Sequence, residues 1–256
     1  MRKLNYEKLI TAIQYWIKDY FELANADGLI IGISGGIDSS VTAALCVNAI
    51  GKTKVYGLSL PCESISEDIE DAKLIAKQLG FNFKVIDLTS IYRKYLNDLT
   101  PFISPIKKAT ANLKSRMRMI TLYYFGQTLG NSLIVGTGNR AEIAIGYFTK
   151  YGDGGTDIEP IGRLYKQEVR EIAKLLKIPE RIINKPPSPG LWLGQTDEGE
   201  IGLSYNTIDE ILYRIDNNLD FEGLEKKNIE KVKALMRNAE HKLKMPPMFD
   251  IGNITS

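Results

Sequence analysis

An apolar run that breaks into a Gly-Gly turn and then into a helix-like segment constrains this chain more than any other feature. It covers residues 29–41 and reads Leu-Ile-Ile-Gly-Ile-Ser-Gly-Gly-Ile-Asp-Ser-Ser-Val. The apolar part predicts a buried strand, and the glycines allow a tight turn that points several backbone N–H groups at an anion. The following helix would add its positive N-terminal end. The pattern therefore predicts a phosphate-binding loop between a strand and a helix.

The loop differs from the two best-known nucleotide loops. It lacks the Gly-Lys-Ser/Thr ending that reaches β- and γ-phosphates, and it does not follow the G-x-G-x-x-G dinucleotide pattern. It carries instead Asp38 among small hydroxyl residues, and this carboxylate is suited to hold Mg²⁺ beside a pyrophosphate. The competing interpretation is that Asp38 only caps the helix. The order strand, Ser, Gly-Gly, Asp, Ser-Ser, helix favours the nucleotide site.

Composition sets the broad class of the protein. The chain has 256 residues, of which 44% are hydrophobic and 25% charged, as in ordinary globular proteins. A net charge of +2 does not indicate a nucleic-acid binder. No apolar run approaches the ~20 residues of a membrane span and no signal-peptide core follows the N-terminus, so we expect a cytosolic protein without membrane partners. Cys46 and Cys62 are too few for a disulfide framework, and Cys46 is expected in the core.

Strand-like and helix-like segments alternate along the first two thirds of the chain. This order predicts an α/β fold with a doubly wound, mostly parallel sheet and helices on both faces. Ligands in such sheets bind beyond the carboxyl ends of the strands, so the loop after residue 33, the segment after Leu60 and the turn 136–139 should share one rim. The Pro- and Gly-rich connection 185–202 has the length of a lid or binding loop. The expected strands are 29–33, 54–60, 81–88 and 132–136, and the expected helices are 9–21, 39–50, 66–79, 111–129, 165–176, 205–216 and 225–240.

Five segments together carry a resemblance to a known family. Ser-Gly-Gly-Ile-Asp-Ser at 34–39 resembles the loop of enzymes that cleave ATP between its α- and β-phosphates. The other segments choose among those enzymes: Asn-Leu-Lys-Ser-Arg-Met-Arg-Met at 112–119, Gly-Thr-Gly-Asn-Arg-Ala-Glu at 136–142, Gly-Tyr-Phe-Thr-Lys-Tyr-Gly-Asp-Gly-Gly-Thr-Asp at 146–157, and Glu-His-Lys at 240–242. With them the chain resembles the NAD⁺ synthetases over nearly its whole length.

The resemblance implies one synthetase domain over 1–256 with a Rossmann-like fold of the adenine nucleotide alpha hydrolase type. Its ATP pyrophosphatase core would span about 25–180, and a C-terminal helical and lid region about 181–256. It also implies a two-step reaction in which the nicotinate carboxylate of deamido-NAD attacks the α-phosphate of ATP and releases pyrophosphate. Ammonia then displaces AMP from the acyl adenylate and forms the amide. Such chemistry depends on positioning and charge stabilisation.

The resemblance also assigns residues. ATP would be bound by Gly32, Ile33, Ser34, Gly35, Gly36, Ile37, Asp38, Ser39, Thr137, Lys166 and Ser188. Deamido-NAD would be bound by Arg116, Lys150, Asp157, His241 and Lys242. Asp38 and Glu142 would hold Mg²⁺, and Asp38, Lys150 and Asp157 would carry the catalysis. Asp157 could either hold a ribose hydroxyl or place ammonia, and the sequence leaves both open.

Plainer interpretations stand beside these assignments. Arg116 and Arg118 on a helix are ordinarily surface charges, and Glu142 could be a solvated helix carboxylate. His241, the only histidine, would alone be taken for an exposed residue. The chain also departs from the family pattern at Ser59, Ala111 and Leu243, which bears on substrate affinity more than on chemistry.

Nitrogen source and assembly complete the expectations. The first strand begins within thirty residues of the start, which leaves no room for a preceding glutaminase domain, so free ammonia is the expected donor. The resemblance implies a homodimer, with the first helix and the 111–129 helix as candidate surfaces. The alternatives are another ATP pyrophosphatase-type ligase, such as a GMP synthetase-like or tRNA-modifying enzyme, and a non-catalytic nucleotide-binding regulator.

Overall fold

The computed structural model describes residues 2–192 and 194–251 and is built around a parallel sheet. Hydrogen bonds place the strands in the order β3-β2-β1-β4, and each neighbouring pair is parallel. A further parallel bridge joins Val135 to Ile158 beside β4. The strands are β1 (Gly28–Gly32), β2 (Val55–Ser59), β3 (Asn82–Val85) and β4 (Ser132–Val135).

Helices connect the strands and continue to the end of the described chain. A short 3-10 helix, Lys52–Lys54, precedes β2. The α-helices are α1 (Tyr6–Leu23), α2 (Ile37–Ile50), α3 (Ser66–Leu79), α4 (Thr89–Leu99), α5 (Lys107–Leu129), α6 (Arg140–Ile145), α7 (Lys166–Leu175), α8 (Glu180–Ile183), α9 (Asp197–Ile201), α10 (Tyr205–Asp216) and α11 (Lys226–Leu243).

Both faces of the sheet are covered, as the sequence predicts. Successive side chains of a strand point to opposite faces, and β1 is apolar on both. Leu29 and Ile31 belong to the apolar cluster formed with α1, α2, α3 and α7. Ile30 and Ile134 belong to a second cluster, which includes Met117 of α5. The expected doubly wound α/β architecture is confirmed.

A third apolar cluster joins the C-terminal helices to the strand-helix core. Tyr205, Ile208 and Ile211 of α10 pack with Val232 of α11 and with α6, whose Ala141 is fully buried. This packing attaches the C-terminal helices to the segment that follows β4. The proposed boundary near residue 180 stays a prediction.

Several predicted boundaries agree closely with the structure. Gly80 ends α3 in the left-handed conformation that glycine tolerates, with φ of 73°. The strand predicted over 81–88 is shorter, although Leu88 N still donates to the carbonyl of Pro61. Helix α4 was not anticipated, because apolar side chains such as Ile91 and Tyr95 lie exposed on it. Among the helices of the described residues, none has both the length and the apolar character that crossing a membrane requires.

Candidate nucleotide-binding site

A cleft of about 780 Å³ lies beyond the carboxyl ends of β1, β2 and β4. Its walls include Gly36 and Asp38 after β1, Leu60 after β2 and Thr137 after β4. These are the three chain segments that the strand rule places on one rim. The structure therefore brings the Gly-Gly loop to the edge of the sheet where ligands of such folds bind.

Hydroxyl groups fix the conformation of the Gly-Gly loop. The Ser34 and Ser39 hydroxyl oxygens lie 3.1 Å apart, and Ser34 Oγ accepts from the Gly36 N–H at 3.2 Å. Ser39 and Ser40 donate their hydroxyls to the Gly36 carbonyl at 3.0 and 2.8 Å. Gly36 is the N-cap of α2, so the first N–H groups of the helix face the cleft side of this turn. The loop is preorganised to receive an anion.

Gly35 is required at its position for two reasons. Its φ is 80°, in the left-handed region that favours glycine. A Cβ there would also clash with the backbone carbonyl of Asp68 at the start of α3. The phosphate-type loop is therefore packed directly against a neighbouring helix.

Lys166 joins the two carboxylates that the sequence assigns to a metal ion. Its ammonium lies 2.5 Å from Asp38 Oδ2 and 3.3 Å from Glu142 Oε1. The Lys166 side chain is only 1% exposed, whereas those of Asp38 and Glu142 are 18% and 16% exposed. The structure thus brings together three predicted residues from distant parts of the chain in one buried, charged cluster.

Asn139 links the same two carboxylates through a different set of bonds. Its side-chain amide donates to Asp38 Oδ1 at 3.1 Å, and its oxygen accepts from the Glu142 backbone N–H at 3.1 Å. Glu142 Oε2 in turn accepts from the Asn139 backbone N–H, which completes a capping box at the start of α6. Because Asn139 is fully buried, it holds the carboxylates in a fixed relation.

Burial and neighbouring charges shift the pKa values of this cluster. Burial alone would lower the pKa of Lys166, but the carboxylates of Asp38 and Glu142 outweigh it and raise the pKa above its usual range. Burial raises the pKa of Glu142, and the nearby carboxylate of Asp38 adds to this effect, although the Lys166 ammonium opposes it. Lys166 therefore stays charged at neutral pH.

Tyr205 extends the cluster towards α9. Its hydroxyl donates to Asp197 Oδ2 at 2.7 Å and lies 3.1 Å from Glu142 Oε1. The other oxygen of Asp197 is buried and has no hydrogen-bond partner among the described residues. Asp197 and Glu200 both line the cleft, and Glu200 accepts from Tyr147 at 2.8 Å. One end of the cleft is therefore strongly acidic.

A partly buried carboxyl supports the turn that carries Thr137. Glu159 accepts from the Gly138 N–H and from the Thr156 hydroxyl, both at 3.0 Å. A Cβ at Gly136 would clash with the Glu159 carboxyl group. Burial raises the pKa of Glu159 to about 7. Glu159 therefore positions two turns of the cleft wall without lining the cleft itself.

Described residues of the connection 185–202 line the cleft and are anchored at several points. Lys185 Nζ lies 2.7 Å from both Asp68 Oδ1 and Asp71 Oδ2 of α3. Lys114 of α5 donates to the Leu191 carbonyl at 3.0 Å. Ser188, a predicted ATP contact, lines the cleft, and its hydroxyl accepts from the Gly190 N–H. The connection thus lies where a binding loop would cover a bound nucleotide.

The predicted deamido-NAD residues fall into separate locations. Lys242 lines the cleft and donates to the carbonyls of Gly146 and Phe148 at 2.7 and 2.6 Å. Arg116 is exposed and donates to the Lys150 carbonyl, while Lys150 Nζ donates to the His241 carbonyl. These three residues form a surface group next to the cleft and not in its lining.

Asp157 lies at the carboxyl end of β4 and is already engaged. It accepts from the Tyr123 hydroxyl at 3.0 Å and from the Ile134 N–H at 2.7 Å. Its own N–H donates to the Ile134 carbonyl. The side chain is held on the α5 side of the sheet edge, and the choice between a ribose contact and ammonia placement stays open.

Sequence reasoning missed four residues of the site. Asn139 could have been found from the Asn-x-x-Glu spacing that signals a capping box. Arg118 stood in a quoted motif but was set aside as a surface charge. Tyr205 and Asp197 carry no sequence signal, because only the fold brings α9 and α10 to the cleft.

Fold and site together are those of an α/β nucleotide-binding protein, with a Gly-Gly loop that lies beside two carboxylates at the rim of the sheet. A family model, NAD synthase, matches residues 9–246. The NH(3)-dependent NAD(+) synthetase of Methanosarcina acetivorans is 43% identical, and the match covers 97% of this chain and 100% of that protein. The chain therefore belongs to the NAD synthase family, and the resemblance inferred from its motifs is confirmed.

Solved structures agree with this family. The NMN synthetase of Francisella tularensis superposes with a TM-score of 0.89 at 32% identity, over 97% of this chain and 100% of that one. The NH3-dependent NAD synthetase of Campylobacter jejuni gives a TM-score of 0.83 at 29% identity, with the same coverage. Each match covers the whole chain of the compared structure, so the described fold is that of the family.

Proposed function

We propose that this protein amidates deamido-NAD to NAD⁺ with free ammonia, at the expense of ATP and with release of AMP and pyrophosphate. The observation that carries the proposal is the Asp38–Lys166–Glu142 cluster beside the Gly-Gly loop in one cleft. This arrangement suits a reaction in which a carboxylate attacks a phosphate, because the repulsion between anions must be neutralised. Family membership supplies the substrate class.

In the first step the loop residues would hold the triphosphate. The N–H groups at the start of α2 and the hydroxyls of Ser34 and Ser39 would contact the phosphate oxygens that leave as pyrophosphate. Lys166 would add a buried positive charge close to the same loop. Thr137, on the turn supported by Glu159, would contact ATP from the end of the neighbouring strand β4. Positioning and charge stabilisation would supply most of the catalysis.

We also propose Mg²⁺ as the metal ion, held by Asp38 and Glu142. Their carboxylate oxygens are the hard ligands that Mg²⁺ prefers, with phosphate oxygens and water completing its shell. When bound, Mg²⁺ would neutralise charge on the departing pyrophosphate.

Deamido-NAD would extend from the cleft onto the adjoining surface. Lys242 could meet the dinucleotide inside the cleft, and Arg116, Lys150 and His241 would meet the part that reaches beyond it. Of these four residues, Lys242 is the one that lines the cleft. The assignment of Lys150 and Asp157 to catalysis stays a prediction.

A homodimer is part of the proposal. Exposed apolar side chains occur on both surfaces predicted from the sequence, including Trp16 and Tyr20 on α1 and Ile120 and Tyr124 on α5. The α4–α5 connection adds Phe102 and Ile103, which are 86% and 69% exposed. Apolar exposure of this extent is typical of association surfaces. The cytosolic location stays a prediction.

The proposal is tested by incubating the pure protein with ATP, Mg²⁺, an ammonium salt and deamido-NAD. We expect NAD⁺, AMP and pyrophosphate in equal amounts. Formation of ADP, or AMP formation that does not depend on deamido-NAD, would refute the proposal, and absence of any turnover would favour the nucleotide-binding regulator. Turnover with glutamine as the sole nitrogen source would refute direct use of ammonia.

Two further arms sharpen the assay. The mononucleotide whose amidation gives NMN should be offered in competition, because the Francisella structure belongs to an NMN synthetase. Preference for this mononucleotide would redirect the substrate assignment. Asp38→Ala should abolish AMP formation while leaving the circular dichroism spectrum intact. Loss of folding would instead assign Asp38 a structural role through its contacts with Lys166 and Asn139, because Gly36 and not Asp38 is the N-cap of α2.

A further inference from the structure

Arg118 lines the cleft, and its charge is not paired with a carboxylate among the described residues. It lies on the face of α5 that lines the cleft, together with Ser115, Met119 and Leu122. These positions recur at three- and four-residue spacing, as expected for one side of a helix. Arg116, two positions earlier, projects from the opposite side and is exposed. The two arginines of the same motif therefore face different surroundings.

The guanidinium of Arg118 contacts only neutral oxygens. Its Nε donates to the Leu60 carbonyl at 3.0 Å, and its Nη2 donates to the Ser64 hydroxyl at 3.2 Å. Across the described chain, no carboxylate forms an ion pair with it. Burial lowers the pKa of this guanidinium, yet the group remains charged, because arginine is not deprotonated in proteins. A desolvated cation without a counter-ion is costly unless a ligand supplies the anion.

Two other cations of the cleft differ in this respect. Lys166 is paired with Asp38 and Glu142, and Lys185 is paired with carboxylates of α3. Arg118 is half-buried and lacks such a partner among the described residues. Two of the five guanidinium N–H donors are used by Leu60 and Ser64, so others stay free for an acceptor on the cleft side.

We propose that Arg118 forms an anion subsite at the end of β2 and binds a phosphate group of a nucleotide in the cleft. The loop after β1 and the segment after β2 are neighbours on the same rim, so a nucleotide anchored at Ser34–Ser39 lies within the same cleft as this guanidinium. The planar fork of arginine suits bidentate contact with phosphate oxygens. ATP and deamido-NAD both carry such groups. The inference rests on the proposed function only for the names of these two ligands.

The test compares the binding of each nucleotide alone to three proteins by isothermal titration calorimetry. These are wild type, Arg118→Gln, which removes the charge, and Arg118→Lys, which keeps it without the fork. Loss of one charge-assisted contact should weaken the affinity for one nucleotide by about 10- to 100-fold in Arg118→Gln, with a smaller loss in Arg118→Lys. Arg237→Gln, an exposed change on α11, should leave both affinities unchanged.

The pattern of losses identifies the ligand. Weaker binding of ATP alone assigns the subsite to the triphosphate, and weaker binding of deamido-NAD alone assigns it to the dinucleotide. Unchanged affinities for both nucleotides in Arg118→Gln and Arg118→Lys would overturn the proposal and leave Arg118 as a brace of the 60–64 turn. Should Arg118→Gln fail to fold, Arg118→Lys decides by the same criterion. Because binding is measured without turnover, a wild type that fails to make NAD⁺ would refute the proposed function and not this subsite.

Discussion

Replacing Lys166 by methionine tests the electrostatic centre of the site most directly. Methionine has nearly the length of the lysine stem and keeps the apolar contacts of α7, but it removes the ammonium. The Asp38 oxygen 2.5 Å from that ammonium and the Glu142 oxygen at 3.3 Å would then face each other without a cation. The variant therefore leaves two partly buried carboxylates uncompensated.

The expected cost follows from the burial of the cluster. Removing one partner of a buried ion pair costs about 3–5 kcal/mol. Because the carboxylate side chains keep 16% and 18% of their exposure, water screens part of the repulsion, and we expect the lower end, about 3 kcal/mol. For a chain of this size, about 3 kcal/mol corresponds to a fall in Tm of roughly 6–12 °C.

The assay is thermal unfolding in metal-free buffer, monitored by differential scanning calorimetry. Lys174→Met is the matched control, because Lys174 lies on the same helix and forms an exposed pair with Glu171. Such a pair contributes about 0–1 kcal/mol, so the control should lose at most a few degrees. Mg²⁺ should raise the Tm of Lys166→Met more than that of wild type, since the freed carboxylates can then bind the ion.

A double variant isolates the interaction. Adding Glu142→Gln to Lys166→Met should recover part of the lost stability, because one uncompensated charge disappears. Equal losses for Lys166→Met and Lys174→Met would refute the reasoning. The reasoning would also be refuted if the loss of stability in the double variant equalled the sum of the losses in the two single variants.

Three further changes test other parts of the structure. Burial raises the pKa of Glu159 from 4.5 to about 7, so the stabilising contribution of this group is complete below pH 4.5 and is lost as the pH rises through 7. In urea unfolding, wild type should lose about 3 kcal/mol of unfolding free energy relative to Glu159→Gln across this pH range. Parallel pH curves for the two proteins would contradict the shift. Gly136→Ala should cost about 1–3 kcal/mol in the same assay because its Cβ clashes with Glu159, and Glu159→Ala in the same chain should restore part of the loss; no recovery would exclude that clash as the cause. Tyr124→Asp, at a residue 76% exposed on α5, should shift the protein from dimer to monomer in sedimentation velocity, whereas Leu219→Asp should not; a monomeric wild type would rule out the dimer.

Local sequence signals predicted the elements of the fold well, because each depends on neighbouring residues. The apolar run before the Gly-Gly turn could only be a buried strand, and Gly80 marked the end of α3 through its left-handed conformation. Helix α4 was not predicted, because its apolar residues do not all lie on one buried face: Tyr92 is buried, but Ile91 and Tyr95 are exposed. An apolar residue in the sequence therefore does not by itself show whether its side chain lies in the core or on the surface.

The pairings inside the site could not be predicted from the residues alone. Lys166 and Asp38 are separated by 128 positions and meet only because β1 and the segment before α7 end at the same rim. The resemblance to a family named both residues, but it did not say that Lys166 already neutralises the proposed metal ligands. Asn139, which links the carboxylates, was visible as a helix cap and not as part of a charged cluster.

The two arginines of α5 show where the limit of sequence reasoning lies. Two positions on a helix are about 200° apart, so Arg116 and Arg118 had to face opposite directions once the helix was predicted. Which arginine faces the cleft depends on how α5 packs on the sheet. The sequence does not show this packing, because α5 has apolar residues on more than one side: Met117 is buried, whereas Ile120 and Tyr124 are exposed. A helix that packs on the sheet with one face and presents apolar side chains on another gives no single apolar stripe to orient it. The inner arginine therefore became recognisable as a cleft residue only through its contacts with Leu60 and Ser64.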